Sequence, residues 1–519
     1  MNAIDKVIAI VSPERALKRI GARKRLDILN TGYSNSGASK RKKSMIGWSF
    51  KGGSTKEDID DNLPTLRERS RDLYMNTPLA TGSLKTMRTN IVGEGLKLNA
   101  QIDYEFLGMS GEEADEWETK AEREFALWAD SLMCDAMQMH NFYELQQLAF
   151  LSFLMSGEVF TLLPYRRHKQ HLYGLRVQLI EADRISSPTG AKDDIINGVE
   201  LGRFGEVAAY HIAKHHPLGK SSGTKEWARI EKFGAKTGRQ NVLHLMESER
   251  PEQRRGVPIL APVIESLKQL DRYTEAELTA ALVSSLFTVF IESAGESNER
   301  PFGEVIADED RVDDEDDSSY ELAPGAIVAL AEGEKANTTN PGRNNAAFDP
   351  FVVSICRQIG AALELPYELL LKHFTSSYSA SRGALLEAWK MFKMRRTWLA
   401  ARFCQPIYEE FLIEAILLGR IDAPGFLDDP LIRKAYATAE WNGPAQGLLN
   451  PLNEVNAAIK RVDNGFSTRA KETVEMNGGD YWRNHPQRVR EEQARREGGL
   501  DAAYNEAQFQ EEVSKENED

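Results

Sequence analysis

Three clusters carry side chains that chemistry would need. Gly219-Lys220-Ser221 supplies the end of a phosphate-binding loop. Such a loop also needs a glycine five positions earlier, so that backbone N–H groups can cradle phosphate. Lys214 stands there, and nucleotide hydrolysis is not expected. Gly219-Lys220-Ser221-Ser222-Gly223 also has the spacing of a nucleophile elbow. That elbow requires an apolar strand running into a tight turn and a helix. His215-His216-Pro217 precedes it instead, which reads as a flexible loop. His211, His215 and His216 form the densest histidine group, with no Cys or carboxylate beside them in sequence, so a metal centre is not expected. No catalytic residue and no cofactor are assigned.

Two further segments could bind without catalysing. Glu304–Asp317 holds nine acids and one arginine. Counted from Asp313, the sixth and twelfth positions of a calcium loop would be Gly and Glu. They are Ser318 and Pro324, so this is a solvated, self-repelling loop or a docking surface, with Asp313, Asp314, Glu315, Asp316 and Asp317 as its densest part. The second segment is Lys372-His373-Phe374-Thr375-Ser376-Ser377-Tyr378-Ser379, rich in hydroxyls between two helical stretches.

The elements that would carry these segments include two long helical stretches, about Leu260–Ile291 and Arg382–Leu418. At 1.5 Å rise per residue each would be roughly 50 Å long. Most globular helices are near 11–12 residues, so these rods suggest a mechanical role. An exposed apolar stripe is expected on Leu260, Val263, Ile264 and Leu267, and it would need a neighbour. Pro406 should kink the second rod or break one of its hydrogen bonds, and Gly419 should stop it.

The first half has a different texture. Leu63 to about Gln101 reads as helix broken at Pro78 and Gly82. Ser110 with Glu113, and Asn141 with Glu144, have capping-box spacing. Glu158–Tyr165, Leu175–Glu181, Gly198–Leu201, Val207–His211 and Val242–Met246 read as short strands, which makes this half α+β. Ser293–Asn345 is a turn-rich insert with one or two strands expected, at Gly325–Leu330. Asp349-Pro350 opens a further helix, and Asn464-Gly465 and Gly478-Gly479 divide three short helices after Asn450-Pro451.

The chain has 519 residues and a net charge of −14. That balance disfavours tight static DNA binding, which needs clustered Lys and Arg against phosphate, but it allows DNA to pass without being gripped. Residues 1–43 run the other way, with eleven bases against three acids, and read as a flexible basic arm. The three widely spaced cysteines suggest a reducing, cytosolic setting. No targeting segment is visible, and the longest apolar run, Leu278–Ile291, falls short of the ~18 residues of a membrane span.

Taken in order, several segments resemble the portal proteins of tailed bacteriophages, the lambda family in particular. They are Leu66-Arg67-Glu68-Arg69-Ser70-Arg71-Asp72-Leu73, Asn90-Ile91-Val92-Gly93-Glu94-Gly95-Leu96, Arg255-Gly256-Val257-Pro258 and Leu365-Pro366-Tyr367-Glu368-Leu369-Leu370. Ser376-Ser377-Tyr378-Ser379-Ala380-Ser381-Arg382-Gly383-Ala384 and Asp463-Asn464-Gly465 complete the set. The resemblance covers about Leu63 to Arg490. It implies a portal fold: an α+β wing, a long-helix stem, a small mixed clip and a helical crown.

Carried onto this chain, the resemblance implies a basic arm over 1–62, the wing over 63–256, a stem helix over 257–292 and the clip over 293–345. It implies a second stem helix over 346–371, a tunnel loop over 372–381 and a wing-crossing helix with its connection over 382–448. Crown helices over 449–497 and an acidic tail over 498–519 complete the map. The implied function is a non-enzymatic ring, twelve-membered as a rule, at one capsid vertex in the virion, assembled in the host cytoplasm. Its implied partners are other copies of itself, the terminase large subunit, head–tail connector proteins, major capsid and scaffolding proteins, and double-stranded DNA in transit; no membrane is implied. Lys372, His373, Thr375, Ser376 and Ser377 would face the DNA, and Asp313–Asp317 would dock partners. A packaging ATPase or nuclease, or a scaffolding protein, are the alternative readings.

Overall fold

The computed structural model describes residues 12–15, 17–19, 21–22, 52–219, 226–285, 289–293, 334–338, 348–374, 377–447 and 450–500. The chain divides into two units, Met1–Asp58 and Ile59–Asp519. In the first, residues 13–15, 17–19 and 21–22 are helical and exposed. The rest concerns the second.

Helices α1 (Leu63–Asn76) and α2 (Pro78–Ile91) are separated at Thr77, whose backbone is extended because Pro78 disfavours a helical predecessor. The expected break at Gly82 is absent. Gly82 lies inside α2, where one glycine costs the helix only about 1 kcal/mol relative to alanine. Strand β1 (Lys97–Ala100) follows, then α3 (Gly111–Ala129) and α4 (Phe142–Ser156). Both expected capping boxes form: the Ser110 and Asn141 side chains accept from the N–H groups of Glu113 and Glu144, whose carboxylates accept in return.

The expected strands form two small antiparallel sheets. β2 (Glu158–Leu162) lies between β3 (Gln178–Ile180) and β8 (Val242–Met246). The other sheet runs in the order β4 (Ile195–Ile196), β5 (Val199–Leu201), β6 (Val207–Ala213), β7 (Trp227–Glu231). Phe160, Tyr210, Ile212 and Val242 share a core between them. β7 was not expected, because Trp-Ala-Arg-Ile-Glu lacks a continuous apolar face.

The first rod is shorter than its apolar content suggests. Helix α5 spans Ile264–Ser285, and Val289–Ser293 forms strand β9 rather than another helical turn. Val289, Phe290 and Ile291 are β-formers, and β10 (Glu334–Thr338) supplies an antiparallel partner from Val289↔Thr338 to Ser293↔Glu334. The expected strand Gly325–Leu330 and the acids Asp313–Asp317 lie outside the described residues. The stripe Leu260, Val263 and Leu267 is not exposed as expected. All three are buried in the chain's own core, and Ile264 is half-buried against it.

Helices α6 (Phe348–Ala362) and α7 (Tyr367–Leu371) lead to the second rod. This is α8 (Tyr378–Leu399), a π-helical turn (Ala400–Cys404) and α9 (Gln405–Leu417) in direct succession. Pro406 has no N–H and its ring crowds the carbonyl four residues back. One wide turn just before it resolves both conflicts without ending the rod. Gly419, at φ +67°, stops the chain as expected.

α10 (Pro430–Ala437) and β11 (Ala439–Asn442) close the core, with β11 antiparallel to β1. α11 (Pro451–Asp463), α12 (Arg469–Asn477) and α13 (Tyr481–Glu497) are the three short helices the turn residues predicted. α9 runs through the centre of the main core. Phe125 of α3 meets Tyr408, Phe411 and Phe142 edge-on, with ring centroids 5.2–5.6 Å apart.

Candidate functional site

The loop after α7 is held at both ends. Lys372 takes the left-handed conformation at φ +53° and donates its N–H to the Glu368 carbonyl, as a helix C-cap does. The His373 N–H reaches the same carbonyl at 3.0 Å. At the far end the Ser377 hydroxyl accepts from the Ala380 N–H at 3.4 Å and opens α8. Lys372, His373, Phe374 and Ser377 are all exposed, while Thr375 and Ser376 fall outside the described residues. The sequence therefore pre-sets a short polar span between two helix caps, with a cation and an imidazole at its start.

The rod behind the loop is bolted to the rest of the chain. Arg396 sends Nε to the Ile91 carbonyl at 3.0 Å and Nη2 to that of Asn90 at 2.9 Å. Burial lowers its pKa to about 10. These bonds cap the C-terminal end of α2. In the same segment Gly95 has φ +108°, and a Cβ there would lie 2.9 Å from the Tyr143 Cα. Arg395 is buried and reaches Glu364 at 3.2 Å, in the left-handed turn (φ +57°) between α6 and α7.

A second convergence joins α1, β2 and the segment leading into α5. Glu158 is fully buried at the start of β2. Arg67 Nη2 contacts its Oε1 at 2.5 Å, and Arg255 Nε contacts the same oxygen at 2.7 Å. The Gly256 N–H and His244 Nε2 each meet Oε2 at 2.8 Å. The Tyr210 hydroxyl lies 3.4 Å from His244 Nδ1. Burial opposes charge on Glu158, yet Arg255 and Arg67 hold its carboxyl well below the usual range. Burial pushes His244 down against the pull of Glu158. With two guanidiniums present, a neutral ring donating from Nε2 and accepting at Nδ1 satisfies every neighbour.

Sequence reasoning named Arg67 and Arg255 only as parts of familiar segments and missed Glu158 and His244. The available signal was an acid directly followed by Val159 and Phe160 in a strand, since a buried carboxylate needs a cation.

The histidine cluster does not come together as a metal site. His211 Nε2 meets Glu200 at 2.9 Å, and hydrogen bonds from Arg229 help hold that carboxyl down to about 2. The expectation that no carboxylate neighbours these histidines is therefore corrected at His211, and again at His216. His216 lies 3.6 Å from Glu181 and 3.4 Å from Asp183, residues remote in sequence that the fold brings close. The ligand atoms of the three fall within 4.8 Å of one another. Arg71, however, hydrogen-bonds to both carboxylates and already supplies the cation. Lys220 and Ser221 lie outside the described residues. Cys134, Cys356 and Cys404 are buried, and burial raises all three thiols, the reverse of what a reactive cysteine needs.

Comparison with known proteins places these features in a family. The chain is 26% identical over 462 residues to portal protein B of Escherichia phage lambda, covering 83% of this chain and 84% of that protein. It is 25% identical over 497 residues to the portal protein of Escherichia phage N15, covering 92% and 93%. Among solved structures it aligns with a chain from the neck of a native gene transfer agent particle computed with C12 symmetry. That alignment has 14% identity, covers 80% of this chain and 92% of that one, and has a TM-score of 0.41. Residues 41–396 match the family described as phage portal protein, lambda family, a span that includes the Glu158 joint and the loop after α7. This chain belongs to the lambda family of phage portal proteins.

Proposed function

We propose that copies of this chain close into a ring, twelve-membered by the family's habit, around an axial channel that carries double-stranded DNA. Portal proteins are structural virion components rather than enzymes, and the family match carries the reading because it runs unbroken from the first unit through the loop into α8. In this assignment residues 63–256 form the wing, α5 and α6 the stem, the β9–β10 hairpin the base of the clip, and α11–α13 the crown. Lys372, His373 and Ser377 belong to the tunnel loop, with Thr375 and Ser376 completing it. A closed ring buries each subunit's interface and leaves no open end. Leu278 and Phe351, 64% and 48% exposed, supply apolar surface on α5 and α6 for a neighbour.

The channel acts by touching DNA lightly. Each phosphate that is neutralised adds salt-dependent affinity and slows sliding. One lysine, one histidine and hydroxyls per subunit can track a backbone without holding it. Asp313–Asp317 in the clip would present carboxylates to the terminase large subunit during packaging and to a head–tail connector afterwards. Major capsid and scaffolding proteins would surround the ring.

The test is the double variant Lys372→Ala/His373→Ala. Rings should assemble normally, while DNA packaged or retained per particle falls severalfold. Loss of ring assembly would remove these residues from the channel and make them part of the subunit interface.

A further inference from the structure

A groove on the surface is well separated in sequence from the loop. It encloses about 730 Å³ between the segment entering α3 and the segment entering α10. Its floor is apolar, made by Trp117, Ile432 and Tyr436. Trp117 and Tyr436 pack with ring centroids 5.1 Å apart, and the Trp117 indole N–H donates to the Asp422 carbonyl at 2.8 Å. The floor is thus a fixed surface. Phe106 on its wall is 54% exposed, and neighbouring Leu431 is 64% exposed. The lining is predominantly acidic: Glu113, Glu116, Asp422 and Asp429 stand against one cation, Lys120.

We propose that this groove docks a basic amphipathic helix from another protein of the assembling particle. Its apolar floor takes residues at i, i+3 or i+4, and i+7, and its four carboxylates receive flanking Lys or Arg. The chemistry argues against an added strand and against nucleic acid. None of the lining residues lies in a strand, so no sheet edge is on offer and strand addition is ruled out, leaving the helix-in-groove mode. Nucleic acid is repelled by the acidic lining. A volume of this size suits a few large side chains, as expected of anchors rather than a flat interface. The inference rests on the portal reading only in placing the partner within the particle.

The test uses a fluorescein-labelled 18-residue peptide of leucine and lysine at helical spacing, with a leucine–glutamate counterpart. Anisotropy is measured on assembled protein and on subunits before assembly. Glu116 and Asp422 are the residues to reverse, because both are exposed and neither side chain caps a helix, unlike Glu113 and Asp429. The lysine peptide should bind both forms, more weakly as salt rises, and the glutamate peptide should not bind. Glu116→Lys/Asp422→Lys should weaken binding at least about tenfold, and Phe106→Ala should weaken it without changing its salt dependence. Reversing two remote acids, Glu387→Lys/Glu475→Lys, should leave it unchanged.

Binding within twofold of wild type in the first double variant overturns the proposal. So does an equal loss in the remote control, or no binding at all. Binding to free subunits but not to rings would mean that a second copy fills the groove, and also overturns it. Mass photometry on the same samples reads ring formation separately, so failure of the ring and failure of docking register as different results.

Discussion

Glu158 sits at the point where three separate stretches of chain meet, and its neighbours were drawn from residues about 90 positions away on either side. Removing one partner of a buried, hydrogen-bonded ion pair strands the other charge, at a cost of about 3–5 kcal/mol. Arg255→Ala should therefore lower the denaturation midpoint sharply, whereas Arg229→Ala, at an exposed pair, should shift it little.

Acidification should weaken the joint in two stages. His244 stays neutral in the fold but takes a proton near pH 6.5 when unfolded. Stability then falls as pH drops below that value, by up to about 1.4 kcal/mol per pH unit. The carboxyl of Glu158 is held low, so its contribution is present above about pH 4.3 and is lost only as pH falls further towards its folded pKa. Stability curves of wild type and His244→Gln should differ in slope between about pH 6.5 and 5; parallel curves would contradict the neutral ring. None of these pairings was legible beforehand, because pattern fixes which face of a strand is buried but not which distant charge arrives there.

At the scale of elements, what could be read was local. The two capping boxes, the Pro78 break, the Gly419 stop and the three helices after Asn450 depend on residues within a turn or two of one another, and all formed. What could not be read depended on a distant partner. Val289–Ser293 is apolar enough for either element, and β10 some 40 residues later decides for strand. The stripe Leu260–Leu267 has the spacing of an exposed helix face, but it is covered by this chain's own core. Of the candidate loop, the polar, hydroxyl-rich character was legible in the sequence, but neither its end caps at Lys372 and Ser377 nor the bolting of α8 through Arg395 and Arg396 was.

One close approach carries a prediction at this scale. Gly157 and Gly256 pass so near each other that a Cβ on either would lie 2.5 Å from the other's carbonyl carbon, and Gly157 also has φ +84°. Left-handed strain and forced overpacking together cost about 2–5 kcal/mol. Gly157→Ala should accordingly unfold at markedly lower denaturant, while Gly82→Ala, where a Cβ meets nothing within 4 Å, should be neutral or stabilising. Equal effects at the two sites would contradict this packing.

At the scale of the molecule, the described residues combine a packed interior with an exposed loop after α7. Aromatic packing around Phe125 and the joint at Glu158 hold the α+β region firm. The loop after α7 projects exposed polar residues, and the long rod carries it. No helix among the described residues is long and apolar enough to cross a membrane. A net charge of −14 keeps the surface from adhering to DNA, so transit rather than binding is the physical fit.

Closure around an axis is the central claim, and the mass and projected shape of the purified protein test it most directly. Mass photometry should give a discrete species at a high multiple of the 58.3 kDa subunit, twelve by the proposal, and electron micrographs should show a ring whose hole admits a DNA duplex. A compact particle at 58.3 kDa with no central opening, at concentrations where lambda-family portals assemble, would contradict it.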